Sequence, residues 1–154
     1  MQVYLDNSAT TRPYDQVTLE MTRAMKEDYG NPSSLHGMGI ASEKQIRMAR
    51  RAIAMQLGVQ PEEILFTGSG TEADNMALFG LASAQKRRGN KIITSKIEHP
   101  AVLESCKRLG TMGFEIAYIG VDAYGKIDLD QLEHELNSQT ILISIMHVNN
   151  ELGT

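Results

Sequence analysis

Apolar and polar positions recur along this chain with two different periods. Over residues 14–29, Val17, Met21, Ala24 and Met25 fall at helical spacing. Gly30-Asn31-Pro32-Ser33-Ser34 then breaks the pattern. A second amphipathic helix is predicted over about residues 40–57, with Ile46, Ala49, Ile53 and Leu57 on one face. Its other face carries Glu43, Lys44, Arg47, Arg50 and Arg51 and reads as solvated surface. Gly58, just beyond, suits the end of a helix.

After residue 60 the pattern becomes an alternation. Strands are predicted at residues 64–67, 91–95, 114–119 and 141–146. Helices are predicted at residues 73–88, at residues 100–112 with Pro100 in the first turn, and after the cap residue Asp128. In that last helix Leu129, Leu132 and Leu136 share one face. The run Ile141-Leu142-Ile143-Ser144-Ile145-Met146 is almost wholly apolar, which predicts a sheet covered on both faces. Strands alternating with helices imply an α/β fold with a mainly parallel sheet and right-handed crossovers. Residues 1–60 are expected to form a helical arm packed on an α/β unit of residues 61–154.

Composition narrows the partners. The chain has 154 residues, enough for a real hydrophobic core, with 42% apolar and 22% charged residues. A net charge of −4 gives no electrostatic case for nucleic acid or an anionic membrane. No apolar run approaches the roughly 20 residues needed to span a bilayer. The opening Met1-Gln2-Val3-Tyr4-Leu5-Asp6 has no basic start and no long apolar stretch, so no signal peptide is expected. One cysteine rules out an internal disulfide, and these features favour a reducing cytoplasm.

Candidate chemistry gathers in the loops that follow strands, because ligands of open α/β sheets bind beyond the carboxyl ends of strands. These loops are Gly68-Ser69-Gly70-Thr71-Glu72, Lys96-Ile97-Glu98-His99-Pro100, and His147 through Thr154. The first reads equally as a phosphate-holding turn at a helix N-terminus or as a capping box, Ser69 with Glu72. It lacks the lysine of a P-loop and the later acidic residue of a dinucleotide fingerprint. His99, directly before Pro100, is either a structural histidine or a proton carrier. Asn149-Asn150 is either a turn or a pair of amide donors. Cys106 lies on the apolar face of its predicted helix and reads as an inert buried thiol. His36, His134 and His147 show no ligand spacing, so no metal site is expected.

Taken together, five segments in register resemble the N-terminal part of cysteine desulfurases. They are Tyr4-Leu5-Asp6-Asn7-Ser8-Ala9-Thr10-Thr11, Gly30-Asn31-Pro32-Ser33-Ser34-Leu35-His36, and Phe66-Thr67-Gly68-Ser69-Gly70-Thr71-Glu72-Ala73-Asp74-Asn75. The others are Ile92-Ile93-Thr94-Ser95 with Glu98-His99-Pro100-Ala101-Val102-Leu103, and Ser144 through Thr154. The form of the opening and of the Gly-Asn-Pro segment is similar to the NifS/IscS branch. The resemblance implies the N-terminal portion of the large domain of a fold-type-I transferase, with pyridoxal 5′-phosphate as cofactor and L-cysteine as substrate. It implies a homodimer, or a complementing C-terminal portion, and a sulfur-acceptor or scaffold protein.

Residue by residue, Gly70 and Thr71 match the pair that binds the cofactor phosphate. The family's usual alanine is Gly70 here, and Gly68-Ser69 reverses the usual serine-glycine order, which implies a looser turn. His99 matches the histidine that stacks on the pyridine ring and moves protons, and Asn150 the asparagine that reaches the ring hydroxyl and the substrate side. Ala9 and Thr10 match the segment lining the substrate. The family's Schiff-base lysine sits in a Ser-His-Lys setting that no lysine of this chain shares, Lys96 included. Nor does Cys106 match the family's nucleophilic cysteine. The expectation is a chain that ends before its domain is complete and is not a competent desulfurase alone.

Overall fold

A computed structural model describes residue 1 and residues 3–154; Gln2 of the expected arm lies outside the described residues. The chain divides into two compact units, Met1–Phe66 and Thr67–Thr154.

The first unit holds α1 (Asp15–Lys26), α2 (Gly37–Leu57) and a single 3₁₀ turn at Pro61–Glu63. α2 begins three residues earlier than its apolar pattern implies because His36 caps it, Nδ1 accepting the Gly39 N–H at 3.3 Å. The Gly-Asn-Pro segment folds back onto this first turn. A Cβ on Gly39 would stand 2.2 Å from the Ser34 carbonyl oxygen, so only glycine lets the two backbones approach. The Ser42 hydroxyl, buried one turn on, donates to Asp28 O at 2.7 Å. Gly58, at φ 68°, ends the helix as expected.

Two expectations fail here. Residues 64–67 begin extended at Ile64 but pair with no strand among the described residues. The Ile64 N–H bonds to Pro61 O, and its carbonyl accepts from Arg50 Nε at 3.2 Å. A β-prone run becomes a strand only where a ladder partner exists, and at Ile64 both backbone groups are already taken. The same contact removes Arg50 from the solvated face: its guanidinium also lies 5.1 Å from the centre of the Phe66 ring.

The second unit is built around β1 (Lys91–Ser95), all five of whose residues are buried. It lies between β2 (Glu115–Ile119) and β3 (Thr140–Ser144), parallel to both. The connections carry α4 (Pro100–Thr111) and α5 (Leu129–Glu135), and α3 (Gly70–Gln85) precedes the sheet. Alternation along β1 sends Ile92 into a cluster with Leu78 and Ala82 of α3, Val102, Cys106 and Leu109 of α4, and Phe114. β3 departs from expectation. Its residues are half-buried and Ile143 is 45% exposed, because β3 is an edge strand and is not covered on both faces.

Polar groups tie the amino ends of the strands. The nearly buried Lys91 Nζ lies 2.6 Å from Glu135 Oε2 and 3.1 Å from Glu115 Oε1. The bond to Glu135, then that to Glu115, holds the ammonium above lysine's ordinary pKa, and Lys91 in turn holds the Glu135 carboxyl below its ordinary value. Asp128 caps α5 as predicted, accepting the Gln131 N–H at 2.9 Å, while Leu129 stays largely exposed. No helix among the described residues is long and apolar enough to cross a membrane.

Candidate functional site

The carboxyl ends of β1 and β3, with the start of α3, bring the predicted polar residues together. At α3 half of the expected capping box forms: Ser69 Oγ accepts the Glu72 N–H at 3.2 Å, but Glu72 Oε2 reaches past the Ser69 N–H to accept that of Gly68 at 2.7 Å. Ala73 N–H turns to Ser69 O. Two first-turn donors remain, since the N–H groups of Gly70 and Thr71 have no partner among the described residues. Cap and anion site are therefore compatible: these two bonds use the N–H groups of Gly68 and Glu72 and leave the helix dipole and two donors for a ligand. A Cβ on Gly70 would meet nothing within 4 Å, so the position tolerates alanine and the space beside it is open.

α4 begins differently. His99 is its cap, Nδ1 accepting the Ala101 N–H at 3.1 Å, and Pro100 has no N–H to offer. Val102 and Leu103 N–H bond to His99 O. The donors of α4 are thus consumed, and of the two helix starts only α3 offers free N–H groups. The cap also fixes the imidazole. With Nδ1 accepting, the neutral ring carries its proton on Nε2.

The loop after β3 is a tight turn organised by Asn149, which is 7% exposed. Its Oδ1 accepts the N–H groups of Glu151 and Leu152, each at 2.9 Å, and its backbone pairs with Gly153 and Thr154. Asn150 is left exposed at the turn.

Two cavities meet at His99. One, of about 430 Å³, is lined by His99, Thr71, Asn75 and Ser105 among others; the second, of about 460 Å³, by His99, Glu98, Asn149 and Asn150 among others. His99 and Pro100 stand in both walls. His99 therefore shares one cavity with Thr71 and the other with Asn150, and Gly70 adjoins Thr71 in the chain. Ala9 and Thr10 belong to the first unit, where both are exposed and their N–H groups bond to Asp6 O. Cys106 is fully buried, and burial first, then the Glu98 charge, pushes its thiol above the ordinary range. That supports an inert thiol.

Sequence reasoning passed over two supporting residues, Asn75 and Glu98, and read Asn149 only as part of a turn. Asn75 Nδ2 donates to Thr71 O at 2.7 Å, and its Oδ1 accepts from the buried Ser105 hydroxyl of α4 at 3.0 Å. This joins the start of α3 to α4. Glu98 and Asn149 each bond across to the opposite loop. Their one sequence signal is position: each stands directly before a predicted site residue.

The sequence matches the aminotransferase class-V family over residues 3–154. It is 50% identical over 153 residues to the cysteine desulfurase IscS of Dictyoglomus turgidum, covering 99% of this chain and 39% of that protein. Among solved structures, a NifS-like protein superposes with a TM-score of 0.93 at 46% identity, over 97% of this chain and 41% of that one. SspA in complex with cysteine gives 0.87 at 38% identity, over 96% and 42%. The chain thus spans about 40% of the length of the relatives it matches. In sequence from residue 3 to residue 154, and in fold, the chain belongs to the aminotransferase class-V family, and it is similar to the N-terminal part of the IscS/NifS cysteine desulfurases.

Proposed function

We propose that this chain forms the phosphate-holding and ring-facing part of a pyridoxal 5′-phosphate site in a cysteine desulfurase. The reaction of that enzyme joins L-cysteine and an enzyme thiol to give L-alanine and an enzyme persulfide. The observation that carries the reading is the position of His99, in the walls of two cavities that hold Thr71 on one side and Asn150 on the other.

The donor set fits the cofactor. Gly70 and Thr71 offer two unpartnered N–H groups at the start of a 16-residue helix, which neutralises a phosphate without adding a side-chain charge. His99 presents a flat ring held by its own cap, with the proton of Nε2 available for transfer. Asn150 supplies an amide that can bond a ring hydroxyl. When bound, the cofactor supplies an electron sink for the amino acid. Ala9 and Thr10 are proposed to line the substrate side.

The remaining chemistry needs residues outside this sequence, because no lysine here sits in the family's Ser-His-Lys setting. These 154 residues are therefore proposed not to desulfurate L-cysteine alone. A homodimer or a complementing C-terminal portion, a sulfur-acceptor or scaffold protein and a cytoplasmic setting complete the proposal. Titrating the ¹⁵N-labelled chain with pyridoxal phosphate is expected to shift the amide signals of Gly70 and Thr71 and the side-chain signals of His99 and Asn150. Pyridoxal without phosphate is expected to leave Gly70 and Thr71 in place. Unmoved signals at α3 would defeat the cofactor reading in favour of a non-catalytic domain. Alanine and sulfide released from L-cysteine by this chain would defeat the claim of incompleteness.

A further inference from the structure

The loops on either side of the second cavity each carry two adjacent polar residues, Glu98-His99 and Asn149-Asn150. In each pair the first member is buried, at 7% exposure, and the second is exposed on the cavity. Both buried members reach the opposite loop. Glu98 Oε1 accepts the Met146 N–H at 2.8 Å, and Asn149 Nδ2 donates to Ile97 O at 3.1 Å, across 48 and 52 residues of chain. The same Glu98 oxygen also accepts the Ser95 hydroxyl at 2.7 Å, which anchors it to the end of β1. A buried donor or acceptor without a partner is costly, so these bonds hold the loops at one separation.

We infer that Glu98 is a positioning residue for the cofactor site. By taking the Ser95 hydroxyl and the Met146 N–H on one oxygen, it sets the distance between His99 and Asn150. The inference rests on the pyridoxal phosphate reading above and adds a residue which that reading does not use. What positioning requires is an acceptor at the right reach. Glutamine supplies one, aspartate is one methylene short, and alanine has none.

Pyridoxal phosphate is titrated into the complete chain as wild type, Glu98→Ala, Glu98→Asp and Glu98→Gln, while NMR follows the Asn150 and His99 side chains and the Met146 amide. Glu98→Ala and Glu98→Asp are expected to weaken binding about tenfold, and Glu98→Gln by no more than about twofold, with β1 amide protection unchanged in all three. In Glu98→Ala and Glu98→Asp the Met146 amide is expected to exchange faster, and the Asn150 side-chain signals to shift even before cofactor is added. Wild-type affinity with unshifted Asn150 signals in Glu98→Ala would overturn the inference, as would failure of Glu98→Gln to restore binding. Should the wild-type chain bind no pyridoxal phosphate, the cofactor reading falls. The Asn150 and Met146 signals then decide the positioning role alone, and unshifted signals sink it. Should Glu98→Ala fail to fold, Glu98→Asp takes its place against Glu98→Gln, and equal behaviour of those two overturns the inference.

Discussion

Replacing Leu109 by alanine is expected to destabilise the second unit by about 3 kcal/mol. Leu109 is fully buried in α4, within the cluster that joins α3 and α4 to β1 through Leu78, Val102, Cys106 and Ile92. Truncation removes the transfer free energy of the lost carbons and leaves a void that β1, buried along its whole length, has little room to fill. Leu129 serves as the control. It is also a helical leucine of this unit, but it is 69% exposed, so Leu129→Ala is expected to change stability by less than about 0.5 kcal/mol. Hydrogen exchange of the β1 amides reads the unit directly, without assuming that both units unfold together. A loss below about 1 kcal/mol for Leu109→Ala would mean that the cluster is not the core of this unit.

The second large effect is on binding. His99 caps α4 through Nδ1 and lines both cavities, and under the proposed function its ring also contacts the cofactor. Asparagine is among the best caps and has no ring, so His99→Asn separates the tasks. It is expected to keep the thermal midpoint of the second unit close to wild type while weakening pyridoxal phosphate about tenfold or more, as loss of a stacking partner does. His99→Ala should show both defects, with a further loss of about 1 kcal/mol in stability from the missing cap. Thermal melts and a pyridoxal phosphate titration of the three proteins check this. Wild-type affinity in His99→Asn would reduce His99 to a cap and leave ring contact to other residues.

The sequence makes some of this architecture readable because some signals are local. The span of β1, the proline start of α4, the Asp128 cap and the Ser69 cap of α3 depend on residues within a few positions of one another, and all form where expected. His99 and Asn150 follow the rule that polar loops beyond strand ends converge, whereas Thr71 reaches the same place from a helix start with no strand before it among the described residues. What fails depends on distant partners. Residues 64–67 have strand composition, but the Ile64 carbonyl is taken by Arg50, fourteen residues away. β3 has the composition of a covered strand but is half-exposed at the edge. Glu98 and Asn149 look like two polar loop residues until the loops are set face to face.

The strand order bears on how the site comes into being. β1 pairs with β2 across one helical connection, whereas its pairing with β3 must close a chain holding three elements, α4, β2 and α5. Closing a longer loop costs more chain entropy, so β2 is predicted to dock first and β3 last. His99 leads the early connection, while Asn150 follows the late strand. Until β3 arrives, Glu98 has only Ser95 to bond, and the Met146 amide joins it in the final step. Pulse-labelling exchange during refolding, with β2 amides protected before those of β3, would show this order, and simultaneous protection would refute it. Competence to bind is then a late event in the maturation of the chain, and a folding intermediate would already display the histidine without the asparagine that completes its surroundings.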